Sequence, residues 1–232
     1  MQLRRTLALL SLLALFSPSR AARAGDVWAS KPFTEWSDKE VQKILTSSPW
    51  GRPIPLQLKN TEARDAGAYK AGVPADDRFG AGKDTQFNKT TLTVVWTGRT
   101  VRSAIVRQRH LKGGTPDEAK DKEFIDGIDK DFYVLVLQAP KVRELATISA
   151  SDLAAASKLV VGDAKSGRVI GASRAEIPAD GGGTYAVFYF PRGEKPIAAS
   201  DKEVTFATKI GDYDITRGFD LGDMMVGDAL DL

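Results

Sequence analysis

Apolar positions in this chain recur with two periods, and the helical one is clearest between Trp28 and Trp50. Val41, Ile44 and Leu45 fall at i, i+3 and i+4 and make one stripe, while Lys39, Gln42, Lys43 and Thr46 fall off it. Ser37 stands three residues before Glu40, the spacing of a capping box in which each side chain accepts a hydrogen bond from the other's backbone N–H. Trp36 and Val41 bracket that cap as a hydrophobic staple, and Asp38 and Glu40 suit the positive end of the helix dipole. The pattern predicts a helix that starts at Ser37 and is stopped by Pro49. About ten residues of helix are marginal alone in water, so the stripe must dock on a larger body. A second helix is expected from a Thr100 cap, with Val101, Ala104, Ile105 and Leu111 on its buried face and Gly113-Gly114 as a left-handed stop. Thr115 to Glu118 has the form of another capped start, leading into a charged helix or loop to Ile128, and a small alanine-rich helix follows Ser151.

The remaining apolar segments are short and read as strands. Leu56–Leu58 is a possible first one, and Thr91–Thr97 is rich in β-branched residues. Tyr133–Leu137 and Tyr185–Phe190 are continuous apolar runs, which predicts strands covered on both faces. Leu159–Val161 and Val169–Ala172 flank a turn at Gly162 to Gly167, and Asp180 to Gly183 is a further turn. Val204–Ile210 and Tyr213–Phe219 form a hairpin over Gly211-Asp212. A two-residue turn there makes Ile210 face Tyr213, Thr208 face Ile215, Phe206 face Arg217 and Val204 face Phe219, with Lys209 opposite Asp214 on the polar side. Seven or more short strands with few helices predict a mainly β fold, an antiparallel β-sandwich or half-open barrel with peripheral short helices.

Two stretches lack either period. Residues 60–90 are rich in Gly, Ala, Asp and Lys with isolated aromatics, and are expected to form a flexible loop. The start of the chain reads as a secretory leader: Arg4 and Arg5, an apolar run from Leu7 to Phe16, and Ala22-Arg23-Ala24 as a cleavage site before Gly25. The expected organisation is therefore a signal peptide at 1–24, an N-terminal helical segment at 25–58, a flexible loop at 59–90 and a β-rich core at 91–232. No run reaches the roughly 18 to 20 apolar residues of a spanning helix, so the protein is not expected to span a membrane. There is no cysteine, which removes disulfides, thiolate metal sites and a cysteine nucleophile. Charge then changes the picture. The formal +3 includes Arg4, Arg5, Arg20 and Arg23 of the leader, which has no acidic residue; without those 4 the 33 basic residues become 29, against 30 acidic ones, a net charge of −1. Nucleic acid is not expected as a partner for such a balance.

Few residues suggest chemistry. His110 is the only histidine, so any histidine-dependent triad or metal cluster must use it alone, and it follows Arg107 and Arg109 on the predicted helix. Gly171-Ala172-Ser173-Arg174-Ala175 resembles a nucleophile elbow without its last glycine, and the histidine precedes it where that arrangement needs one afterwards; a strand or turn serine is the simpler reading of Ser173. Gly80 to Asp84 glances at a phosphate loop, but its first glycine would fall at Asp77 and its hydroxyl at Asp84. Gly-Asp recurs at Gly162, Gly211, Gly222 and Gly227 with Asp214 and Asp220 nearby, a pattern that turn chemistry explains better than calcium. Arg99, Arg102, Arg107, Arg109 and Lys112 make a basic cluster expected to be a solvated helix face. Neither catalytic residues, nor a metal site, nor a cofactor is expected. Exposed Trp stacks on sugars or partner proteins, which makes Trp28 and Trp50, in irregular segments, the candidate ligand-binding residues.

The pattern Trp36-Ser37, Glu40-Val41, Ile44-Leu45 and Ser48-Pro49-Trp50, joined to FYFPR at Phe188 to Arg192 and DKEVTFATKIG at Asp201 to Gly211, resembles a group of exported bacterial proteins of unknown function. The resemblance implies export and a structural helix, and carries no catalytic residue. The expectation is a periplasmic or secreted, non-enzymatic interaction module whose partner is a protein or a glycan. The alternative is a carbohydrate-binding or carbohydrate-active protein that uses exposed Trp and a carboxylate pair.

Overall fold

The computed structural model describes residues 26–58, 88–163, 165–179 and 184–232. The expected leader and its cleavage site, the expected loop up to residue 87, the Gly80 to Asp84 segment and the Asp180 to Gly183 turn lie outside those residues. Five α-helices are described: α1 (Val27–Ser30), α2 (Asp38–Thr46), α3 (Arg99–Leu111), α4 (Glu118–Asp126) and α5 (Ala150–Ala155). The strands are β1 (Gly51–Leu58), β2 (Asn88–Trp96), β3 (Phe132–Gln138), β4 (Lys158–Val161), β5 (Arg168–Gly171), β6 (Arg174–Glu176), β7 (Tyr185–Pro191), β8 (Glu203–Ile210) and β9 (Tyr213–Asp220), with a small hairpin of β10 (Met225–Val226) and β11 (Ala229–Leu230).

One sheet has the order β1-β2-β3-β7-β6 and the second β5-β4-β8-β9, all neighbours antiparallel. The two face each other through aromatic side chains: Phe206 of β8 lies 5.2 Å from Phe188 and 6.2 Å from Phe190 of β7, and Phe219 of β9 lies 5.9 Å from Trp96 of β2. This is the expected mainly β antiparallel fold, in its sandwich form and with no closed barrel. The β8–β9 register is the one the alternation predicts, down to Ile210 opposite Tyr213 and Lys209 opposite Asp214. Gly211 takes φ +57, the sign a two-residue II′ hairpin turn needs at its first position.

Helix α2 is held as its sequence predicts. Ser37 is the cap, and the reciprocal bonds with Glu40 are both present. Val41 and Ile44 are fully buried and Trp36 nearly so. The helix ends three residues before Pro49, because Ser48 Oγ donates to the Ile44 carbonyl at 2.6 Å and accepts from the N–H groups of Trp50 and Gly51. The chain then enters β1, which begins five residues before the expected Leu56. Pro53 and Pro55 do not break it. Trp50 accepts from Trp96 N–H, so even-numbered residues of β1 turn their backbone toward β2 and the two prolines turn theirs away, on an edge strand that has no partner there. The expected boundaries at 58 and 90 therefore run through one sheet: Leu58 pairs with Asn88, and Leu56 with Thr90.

Helices α2 and α3 pack on each other and α2 on β1 and β2. Gly51 lies under the end of α2, where a Cβ would meet the Leu45 backbone; Gly51 pairs with Val95, so the helices cover that end of the five-stranded sheet on the side away from the second sheet. Helix α3 starts one residue before Thr100, and its cap comes from elsewhere. Asp231 Oδ1 accepts from Arg99 N–H at 2.5 Å and Oδ2 from Thr100 N–H at 2.9 Å. Its buried face is Thr100, Val101, Ser103, Ala104 and Val106, while Ile105 and Leu111 are 39% and 40% exposed. Gly113, at φ +90, ends it as expected.

Asp231→Ala should cost about 1 to 2 kcal/mol in urea melts, the scale of a lost N-cap, although it lies more than a hundred residues from α3. A second outcome concerns pH. Ser37 N–H and Oγ and then Lys31 Nζ bond Glu40 Oε2 at 2.8, 2.7 and 2.9 Å and lower its pKa from 4.5 to about 2. The folded pKa lies below the unfolded one, so this contribution is complete above about pH 4.5 and is lost as pH falls toward 2. Melting temperatures recorded over that window should fall more steeply for the native protein than for Glu40→Gln.

Candidate functional site

The Trp residues that sequence singled out are structural. Trp50 is fully buried, its indole N–H donates to the Asp231 carbonyl at 2.7 Å, and Trp28 packs edge-on against it at 5.2 Å between ring centroids. Trp50 is thus no stacking platform: both its ring and its polar handle are taken by the chain itself. Trp28 is half-buried against the same core.

The basic cluster on α3 is a solvated face only in part: Arg99, Arg109 and Lys112 are exposed, but the arginines also tie α3 to its neighbours. Arg107 Nε donates to the Trp36 carbonyl at 2.7 Å and so ties α3 to the cap of α2. Arg102 bonds the carbonyls of Thr97 and Phe124 and covers the Phe124 ring, and Arg99 pairs with Asp126 at 2.9 Å. Arg109 pairs with Asp121, a buried carboxylate of α4 whose second oxygen lies 2.8 Å from His110 Nε2. Local sequence showed His110 only its cationic neighbours on α3; the carboxylate that faces it comes from the next helix. The group fastens α4 to α3.

The other motifs resolve into turns and edges. Ser173 Oγ donates to the Tyr189 carbonyl at 3.2 Å, beside β6. Asp163 accepts from Lys165 and Ser166 N–H, and Asp220 from Gly222 N–H, the side-chain-to-backbone bonds that turns use. Among the described residues no three His, Asp or Glu side chains converge as metal ligands.

What sequence did not single out is the outward face of the five-stranded sheet. The apolar runs of β3 and β7 predicted cover on both faces, but burial alternates along each strand. Tyr133, Leu135, Leu137, Ala186, Phe188 and Phe190 point to the second sheet and are buried, whereas Phe132, Val134, Val136, Val187 and Tyr189 point away and are only half-buried. The register sets Val134 beside Tyr189 and Val136 beside Val187, which joins the two rows into one strip. Phe132 packs edge-on to Tyr189 at 6.1 Å. At one border Arg174 stacks on Tyr189 at 3.8 Å, and Tyr189 donates to Glu176 at 3.2 Å. Burial, and then the charge of Glu176, push the Tyr189 phenol above its usual range, so it stays a donor. At the other end Val136, Gln138, Pro140, Thr184 and Tyr185 line a cavity of about 360 Å³. The strip can offer apolar area, two aromatics, and a charged border; it carries no nucleophile–base pair. The signal was in the sequence as alternation hidden inside continuous apolar runs, since Val and Tyr outward and Leu and Phe inward are equally hydrophobic by count.

No protein-family model, curated protein or solved structure matches this chain.

Asp214 pairs with Lys209 across the β8–β9 hairpin on its exposed side, and opposite charges so placed contribute roughly 0.2 to 1 kcal/mol. Asp214→Asn should therefore cost less than about 1 kcal/mol, with the same melting response to calcium before and after substitution.

Proposed function

We propose that this protein is an exported, non-catalytic binding module that holds a partner protein on the outward face of its five-stranded sheet. The observation that carries the reading is the strip of Phe132, Val134, Val136, Val187 and Tyr189, apolar across two adjacent central strands and reached by solvent. Contiguous apolar surface rimmed by polar groups is the mark of an interaction site. The rim here is Arg174 and Glu176 on one border and Gln138 on another, all exposed. Flat rows of valine favour a protein surface over a sugar, which needs an open aromatic face, and the one ring at the centre of the border, Tyr189, is already covered by Arg174. Export rests on the leader at 1–24 and on the resemblance to exported bacterial proteins. Among the described residues no helix is long and apolar enough to cross a membrane.

A glycan is the second reading, favoured by the cavity beside Tyr185, which Gln138 and Thr184 also line. It no longer uses Trp50.

The test places a photo-crosslinking residue at Val136 and, as a control on the opposite outer face, at Lys209. A discrete adduct from Val136 in the exported fraction of the source cell, absent from Lys209 and abolished by Val187→Glu, supports the protein reading. Equal labelling from both positions defeats it. Glycan-array binding that Tyr185→Ala removes would put the second reading first.

A further inference from the structure

The sandwich has an open edge where β1 of one sheet runs beside β9 of the other. Two arginines stand on it. Arg217 pairs with Phe206, a fully buried residue of the inner face, so the Arg217 side chain leaves β9 on the side facing the other sheet. Arg52 pairs with Val94, whose inner-face neighbours Leu92 and Trp96 are fully buried, so it leaves β1 on the inner side too.

The register brings them to the same level. Trp96 and Phe219 touch across the sandwich, and β2 and β9 both run toward the junction of Gly98 with Asp231, since Leu221 bonds Met224 and Met224 bonds Asp231. Two residues back from Trp96 is Val94 with its partner Arg52; two residues back from Phe219 is Arg217. Each arginine is half-buried, and each has a fully buried Nε with no hydrogen-bond partner. The carboxylates nearest along the strands, Glu203, Asp214 and Asp220, pair on the opposite face of the β8–β9 hairpin and cannot reach around it. A buried donor on a charged group without an acceptor is costly, and two like charges on one edge add to the cost.

From this juxtaposition we infer a binding site for a doubly charged oxyanion, a phosphate or dicarboxylate group, at the β1–β9 edge. The guanidinium fork matches such groups in two parallel N–H···O bonds, and a side-on fork uses Nε together with one outer nitrogen. Nε is the nitrogen left without an acceptor in both side chains. One dianion between them would supply the missing acceptors and cancel both charges. The site is independent of the outward strip, which lies on the other side of the same sheet.

Thermal unfolding of the full chain decides it, in inorganic phosphate, in succinate and in sodium chloride of equal ionic strength. Phosphate or succinate at about 100 times its Kd should raise the melting temperature by roughly 5 to 10 °C over the chloride control. Arg52→Gln and Arg217→Gln should each lose most of that shift and the double substitution all of it, while melting without anion as high as the native protein or higher. If either glutamine variant does not fold, the lysine variants replace them; they keep the charge, lose the fork, and should lose most of the shift. Which anion acts separates a phosphate ligand from a carboxylate one. A shift unchanged in the double variant reports only general stabilisation of the fold by excluded anions and overturns the site, as does no shift beyond chloride.

Discussion

Asp231 holds two elements that are distant in sequence. Its carboxylate caps the first turn of α3 through Arg99 and Thr100, and its carbonyl takes the indole N–H of Trp50, the last residue before β1. Gly98 has to be small for this to happen, because a Cβ there would lie 2.7 Å from Asp231 oxygens. Leu232 is tied in by Arg192, whose guanidinium also stacks on Tyr133 at 4.2 Å and bonds the carbonyls of Asp129 and Phe132. Four parts of the chain thus meet at one buried polar knot at the end of the sandwich where β2 finishes. The helical layer is positioned by that knot, and the arginines of α3 then fasten α2 and α4 to it.

The helical layer covers only one end of the outward face of the five-stranded sheet. Strands β3 and β7 are apolar on both sides, yet the second sheet covers one side alone, and the rows of Val134, Val136, Val187 and Tyr189 stay in reach of solvent. A sheet that served only as half of a sandwich would alternate apolar with polar there. The surplus apolar area is the physical reason for placing a partner on that face and not on the helices, whose exposed Ile105, Leu111 and Phe124 are scattered singly. The edge arginines are a different kind of surplus, of donors over acceptors, and they point to a different kind of ligand.

The legible part of this protein was whatever a few neighbouring residues settle among themselves. The Ser37–Glu40 cap, the Gly113 stop and the whole β8–β9 register depend on contacts within one turn of helix or across one tight hairpin, and each came out as read. The mainly β class followed from the same local periods. Where reading failed, a distant partner had intervened. Thr100 looked like a cap because Asp231 was out of sight, and Trp50 looked available because the carbonyl that receives it is 181 residues away. The first strand was read only from Leu56, and its place at a sheet edge is what lets it begin at Gly51 and hold Pro53 and Pro55. The ties that the α3 arginines make were hidden because Trp36, Phe124 and Asp121 lie on other elements.

The candidate strip divides in the same way. The sequence by itself determined that Tyr133–Leu137 and Tyr185–Phe190 are strands, because their residue types permit little else. It did not determine which face of each strand is covered, since a continuous apolar run has no polar residue to mark the outside. Only the packing of β7 onto Phe206 chose the Leu and Phe side as interior and left the Val and Tyr side outward. That choice belongs to tertiary structure because it costs nothing locally: either face would bury comparable apolar area, and the decision is made by how the second sheet and the helical layer close around them.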